Sequence, residues 1–224
     1  MKQRVIFSLI GAISLLSAQS YAFAEQANWR TWKHSQQYQV HYYKTAEGHY
    51  AIKAKLFIAK ATKAQFISLL HDTEHAPDWL EGVKRVTLLD SPSANQTLVF
   101  THLNSPWPVA DRELYTESCY QALEGQSSRL LIQSLDPDQE VGKGRVRIKE
   151  LEALWTLTPR TDGLVLEYEV VADPGGTIPT WLSNRVSLNS VYKTLMNLRR
   201  VLPKTQVMSP LPLQEGDCSG FKQK

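Results

Sequence analysis

Hydrophobic and polar positions alternate along much of the chain, and changes of period mark its elements. Tyr38, Val40 and Tyr42 alternate with polar partners, and Tyr50, Ile52, Ala54, Leu56 and Ile58 are interleaved with Lys53, Lys55 and Phe57. A period of two marks a strand with one buried face. With Glu47-Gly48 as a turn between them, the two runs predict a hairpin over 38–43 and 50–58. The period then lengthens. Ala61, Ala64 and Leu69, with the Phe66–Leu70 pair, sit at helical spacings and predict a helix over 60–71, with Pro77 barring its continuation.

Further strands are predicted over 83–89, 97–103, 113–123, 128–133, 144–157 (interrupted) and 164–172. Their separators are turn-forming: Pro92-Ser93, Pro106-Trp107-Pro108, Glu124-Gly125, Asp136-Pro137-Asp138 and Thr161-Asp162-Gly163. Turns at such intervals imply an antiparallel meander. A long amphipathic helix over 178–202 closes the series. Pro179 falls in its first turn, and Trp181, Leu188, Leu195 and Leu202 repeat every seven residues. Arg199 and Arg200 suit its C-terminus, and Pro203 stops it. The fold class is α+β, with helices segregated against one sheet.

The first residues follow a different rule. Lys2 and Arg4 precede an apolar run from Val5 to Leu16, too short to span a bilayer, and Ala22-Phe23-Ala24 has the small-x-small form of a cleavage site. The expected organisation is a signal peptide over 1–24, one domain over 25–203 and a flexible tail over 204–224. The expected location is periplasmic or secreted. Trp29 and Trp32 mark a short segment docked on the body. Without Lys2 and Arg4 the net charge falls from +3 to +1. Such balance argues against nucleic acid as partner, since that affinity rests on clustered Lys and Arg. Two cysteines remain, Cys119 and Cys218. A bridge would close a loop of about 100 residues, which the chain-entropy model values at about 4–5 kcal/mol. Two free thiols are the other reading, and the tail is expected to be poorly ordered unless Cys218 pins it.

Four stretches carry a family resemblance. They are Asp72 through Trp79-Leu80; Pro106-Trp107-Pro108-Val109-Ala110-Asp111-Arg112-Glu113; Trp155 with the strands that follow; and Gly175-Gly176-Thr177-Ile178-Pro179, continuing to Trp181, Leu182 and Asn184. In this order they resemble the START (StAR-related lipid-transfer) domain of the helix-grip superfamily, over about Trp29 to Pro203. The resemblance implies a curved antiparallel sheet wrapped around the long C-terminal helix, with a hollow between them for a lipid or other apolar molecule. It implies non-enzymatic binding and transfer, no cofactor, and transient membrane contact. The segments 105–111 and 173–177 are the expected gates. Some sterol carriers of the family have a second basic residue six positions after the junction arginine. Here Ser118 stands there, so the resemblance does not extend to sterol specificity.

The expected ligand contacts are Trp79, Trp107, Arg112, Tyr115, Trp155, Tyr168, Trp181, Leu182 and Leu188. Each has a plainer reading. The tryptophans could fill the core, although Trp181 lies on the face that must oppose the sheet. Tyr115 and Tyr168 could point outward. Arg112 either anchors a ligand headgroup or pairs with a carboxylate to fix its junction, and the second ranks first because a buried arginine needs a partner. An enzyme acting on an apolar substrate in the same hollow is the alternative function. Glu113, Glu167, Glu169 and His102 are the strand residues it could use. His71-x-x-Glu74-His75 matches an inverted zinc-site pattern, but Pro77 ends the helix and no third ligand is evident, so no metal is expected. Gly216-Asp217-Cys218-Ser219-Gly220 lacks the histidine and aspartate of a serine-protease framework.

Overall fold

The computed structural model describes residues 28–105 and 107–221. The expected signal peptide lies outside the described residues. Ten strands form one sheet: β1 (Arg30–His34), β2 (Tyr38–Lys44), β3 (Tyr50–Ala59), β4 (Val83–Ser93), β5 (Gln96–Leu103), β6 (Asp111–Ala122), β7 (Ser128–Leu135), β8 (Arg145–Ile148), β9 (Glu150–Arg160) and β10 (Gly163–Asp173). The order is β1-β2-β3-β10-β9-β7-β6-β5-β4, all neighbours antiparallel, with β8 added parallel to β6. Two helices, α1 (Lys63–His71) and α2 (Thr180–Val201), pack on its inner face.

The two-residue period sets that face. Ile52, Ala54, Leu56 and Ile58 of β3 point inward beside Leu164 and Leu166 of β10, all at most 1% exposed. Lys53 and Lys55 point outward and pair with Glu169 and Glu167 across the strands at 2.9 and 3.0 Å. Leu195, Leu198 and Leu202 close the core from the helix side, each fully buried.

Several boundaries differ from the sequence expectation. α1 starts three residues later, because Thr62 caps it. Its side chain accepts from the Gln65 amide while the Gln65 side chain accepts from the Thr62 amide, a capping box. The interruption expected within 144–157 falls at Lys149, and the second part runs on to Arg160. The Ser134 hydroxyl donates to the Lys149 carbonyl (2.7 Å) and accepts the Leu151 amide (2.9 Å), which holds the break. The docked N-terminal segment with Trp32 is a strand, β1.

The tail meets the condition set for its order, because Cys218 pins it. Cys119 and Cys218 form a disulfide. Leu213, Cys218 and Phe221 are buried, the last two against Leu131 on the outer face of the sheet. The Gln214 amide donates to Ala94, the Gly216 amide to Tyr120, and Lys63 pairs with Glu215 at 2.8 Å. Residues up to 221 are therefore strapped across the sheet. Polar composition suggested a loose tail, but a covalent tie and three apolar anchors outweigh it.

Candidate functional site

Along most of its length α2 lies on the sheet, but near its N-terminus the two surfaces part. Between them is a hollow of about 240 Å³ with mostly apolar walls: Ile52 of β3, Leu114 of β6, Val170 and Ala172 of β10, Leu182 and Val191 of α2. Two larger concavities, of about 340 and 460 Å³, are open troughs on the outside lined largely by amide and charged side chains. The inner hollow is the better ligand site because its walls are apolar and face each other.

Polar groups gather at one end of it. Asn184, on the second turn of α2, accepts the Tyr50 amide (2.9 Å) and donates to the Gly48 carbonyl (3.0 Å). It staples the helix to the β2–β3 turn and so fixes how far the walls part. Arg112, at the start of β6, is buried and lines the hollow. Its guanidinium donates from Nε to Pro174 (3.2 Å), from Nη2 to Gly175 (3.0 Å) and from Nη1 to Ala110, all backbone carbonyls. Among the described residues no carboxylate pairs with it. Burial pushes it below its ordinary range, partly opposed by the Asp111 charge. Three of its five N–H groups are used, and two remain. Gly175 and Gly176 both adopt left-handed backbone, and a Cβ on Gly176 would lie 3.5 Å from Arg112 Nη2, so the strap closes tightly over the arginine. His49 also lines this end, its Nε2 3.7 Å from Asp173, too long for a hydrogen bond.

A START-domain model matches residues 17–205. The chain belongs to the START-domain family. An uncharacterized protein of Pseudomonas aeruginosa is 28% identical over 149 residues, 65% of this chain and 72% of its own length. Among solved structures, a STAR-related lipid transfer protein fragment from Xanthomonas axonopodis superposes with a TM-score of 0.71 at 24% identity, over 78% of this chain and 98% of that one. Human StAR-related lipid transfer protein 5 gives 0.69 at 12% identity, over 81% and 89%. These structural likenesses show a shared fold.

Of the nine expected contacts, this START domain brings Arg112, Tyr168 and Leu182 to the hollow. Trp79, Trp155 and Leu188 are core: each is at most 5% exposed, and Trp155 packs between Phe66 and Tyr168. Tyr115 points to the outer face, beside Phe100 and under Arg147. Trp107 and Trp181 are 93% and 68% exposed. The Trp181 expectation failed for a definite reason. Its heptad partner Leu188 lies on nearly the same line, with a drift of about 20°. Spacing gives a side chain's direction, whereas a wall opposite buries it, and no wall covers Trp181. The Arg112 expectation of a carboxylate partner also failed. Asp111, one residue before it on the strand, points to the other face, where it binds His102 (2.8 Å) and the Ser105 amide (3.0 Å). Glu113, Glu167, Glu169 and His102 all lie on that outer face, away from the hollow. Ser118 faces inward, bonded to Thr97 at 2.7 Å. Asn184 and His49 were missed as site residues. Asn184 lay inside a quoted family stretch, and nothing in the local pattern marked His49.

Proposed function

We propose that this START domain binds one apolar, lipid-like molecule in the inner hollow, its anionic head held by Arg112, and exchanges it with membranes without making or breaking a bond. The observation that carries this is a buried guanidinium, unpaired by any carboxylate among the described residues, facing a mostly apolar cavity. A buried cation is tolerated when paired, and a ligand carboxylate or phosphate would complete the pairing. The similar Xanthomonas and human structures are named for lipid transfer, which supports the reading. The disulfide supports a periplasmic or extracellular location, since such bonds persist in oxidising compartments.

The deciding experiment is native mass spectrometry of the purified protein, with solvent extraction of the same sample. One bound apolar molecule per chain is expected. A protein that carries none and takes none from lipid vesicles would refute the reading. Arg112→Met tests the head contact. Losing charge-assisted bonds worth about 1.5–3 kcal/mol should weaken an acidic lipid roughly 10- to 100-fold in titration, and an unchanged affinity would remove Arg112 from the site.

Exchange requires an opening and a surface that meets the bilayer. Trp107 stands between Ser105 and Val109, and Trp181 precedes Leu182; all three neighbours line the hollow. Two exposed indoles at its rim suit the membrane interface, where an aromatic ring has one apolar and one wet side. Replacing both with alanine should slow lipid transfer between vesicles roughly tenfold or more, given the apolar area each would bury. Equilibrium affinity should stay as it was. Equal transfer rates would place the docking face elsewhere.

A further inference from the structure

A further polar group, the Tyr168 hydroxyl, lies on the hollow away from Arg112. Tyr168 of β10 is in register with Ala54 and Trp155, and that row continues through Leu130 to Tyr120. Those four neighbours are buried in the packed core, and of the row only Tyr168 reaches the hollow. Tyr168 alone in the row keeps accessible area, because it faces the empty space. Trp155 stacks on its ring at 4.1 Å and fixes its position. The hydroxyl makes no hydrogen bond to any described residue, and burial is the whole cause of its raised pKa. With its donor unused by any described residue and its ring on the wall of the hollow, the hydroxyl is available to a ligand.

The dimensions narrow the choice further. On β10 the lining runs from Tyr168 to Pro174, roughly 20 Å at strand rise. On α2 it runs from Leu182 to Val191, roughly 14 Å at helical rise. A volume of about 240 Å³ spread over such a length is slender. It falls below the ~300–1,000 Å³ common for ligand pockets. One chain fits such a shape better than the two chains of a diacyl lipid.

We infer that the hollow selects a slender single-chain molecule with oxygen at both ends: an anionic head at Arg112, and near the buried end an acceptor oxygen bound by the Tyr168 hydroxyl. This rests on the lipid-binding reading and adds Tyr168 as its specificity-determining residue. The probes are straight-chain fatty acids of increasing length, their ω-hydroxylated counterparts, and a diacyl phosphatidylcholine, each titrated into the purified, delipidated protein.

At the length that spans the hollow, the ω-hydroxy acid should bind about tenfold tighter than the plain acid. In Tyr168→Phe the gap between the two acids should close, through weaker binding of the ω-hydroxy acid. The variant should melt at or above the wild-type temperature, because the hydroxyl it lacks has no protein partner. A merely structural tyrosine would lower the melting temperature and leave the selectivity ratio unmoved. Equal affinity for both acids at every length in the wild type overturns the inference, and that comparison needs no variant to fold. So does a gap that survives in Tyr168→Phe. Binding of the phosphatidylcholine but of neither acid overturns it and leaves the lipid-binding reading standing. If none of the probes binds, both fall.

Discussion

Replacing Cys119 and Cys218 with serine should lower stability by about 4 kcal/mol, as the chain-entropy model gives for a loop of this length. The bridge spans 99 residues of sequence and ties the tail to β6, the third strand from the β4 edge of the sheet, flanked by β5 and β7. At about 2–4 °C per kcal/mol for a chain of this size, the melting temperature should fall by roughly 8–16 °C. The tail has other holds, chiefly the Lys63–Glu215 pair and two backbone hydrogen bonds, but these are ordinary contacts that open once the tether is gone. Cleavage beyond Pro203 should therefore speed up in limited proteolysis. Leu131, now covered by Cys218 and Phe221, would be uncovered. A melting temperature indifferent to reductant would show that packing alone holds the tail.

Glu113→Gln should be comparably destabilising, for an electrostatic reason. Glu113 and Arg147 are both buried, 1% and 6% exposed, on the outer face beneath the 136–145 loop. The Arg147 guanidinium donates to one carboxylate oxygen at 2.7 and 3.0 Å, and the Gly142 amide donates to the other at 3.0 Å. Removing the Glu113 charge leaves buried Arg147 only its longer pair with the more exposed Asp136 at 3.6 Å, so the cost should lie near the low end of the ~3–5 kcal/mol typical of breaking a buried pair. Chemical denaturation measures it. Exchanging both for apolar residues of similar volume, Glu113→Leu with Arg147→Met, should recover most of the loss, because neither charge is then stranded. Ligand affinity should be untouched in whichever variant folds, since the pair faces away from the hollow. Arg112→Met should instead weaken binding, and it should also cost stability, because the Ala110, Pro174 and Gly175 carbonyls lose their donor. If Glu113→Gln weakened binding as much as Arg112→Met, the separation of the two faces drawn here would be wrong.

The two arginines show how far local pattern reaches. Alternation places Arg112 and Leu114 on one face of β6 and Glu113 and Tyr115 on the other, and that much is legible from spacing. Which face is the inside depends on the strands paired beside it. A one-residue change of register would exchange the two sets entirely. The same limit explains Tyr115 and Tyr168, which look alike along the chain. Tyr168 faces inward because its row includes Ala54, on a strand far away in sequence, as well as Trp155 of the adjoining hairpin strand. The tryptophans differ for a related reason. Trp79 and Trp155 meet walls, whereas Trp107 and Trp181 stand at a rim where the sheet and helix part.

By itself the sequence determined the period of each element, the turns between them, the α+β order with a closing amphipathic helix, and the stretches that resemble the START family. These depend on neighbours a few residues apart, where backbone geometry allows few choices. The assembled fold alone brings Cys119 and Cys218 together, rests Arg112 on three carbonyls rather than a carboxylate, and leaves a slim hollow with a tyrosine hydroxyl on its wall. Each of these depends on groups distant in sequence arriving at one place. That arrival is set by the register and curvature of the whole sheet, which no short window of residues contains.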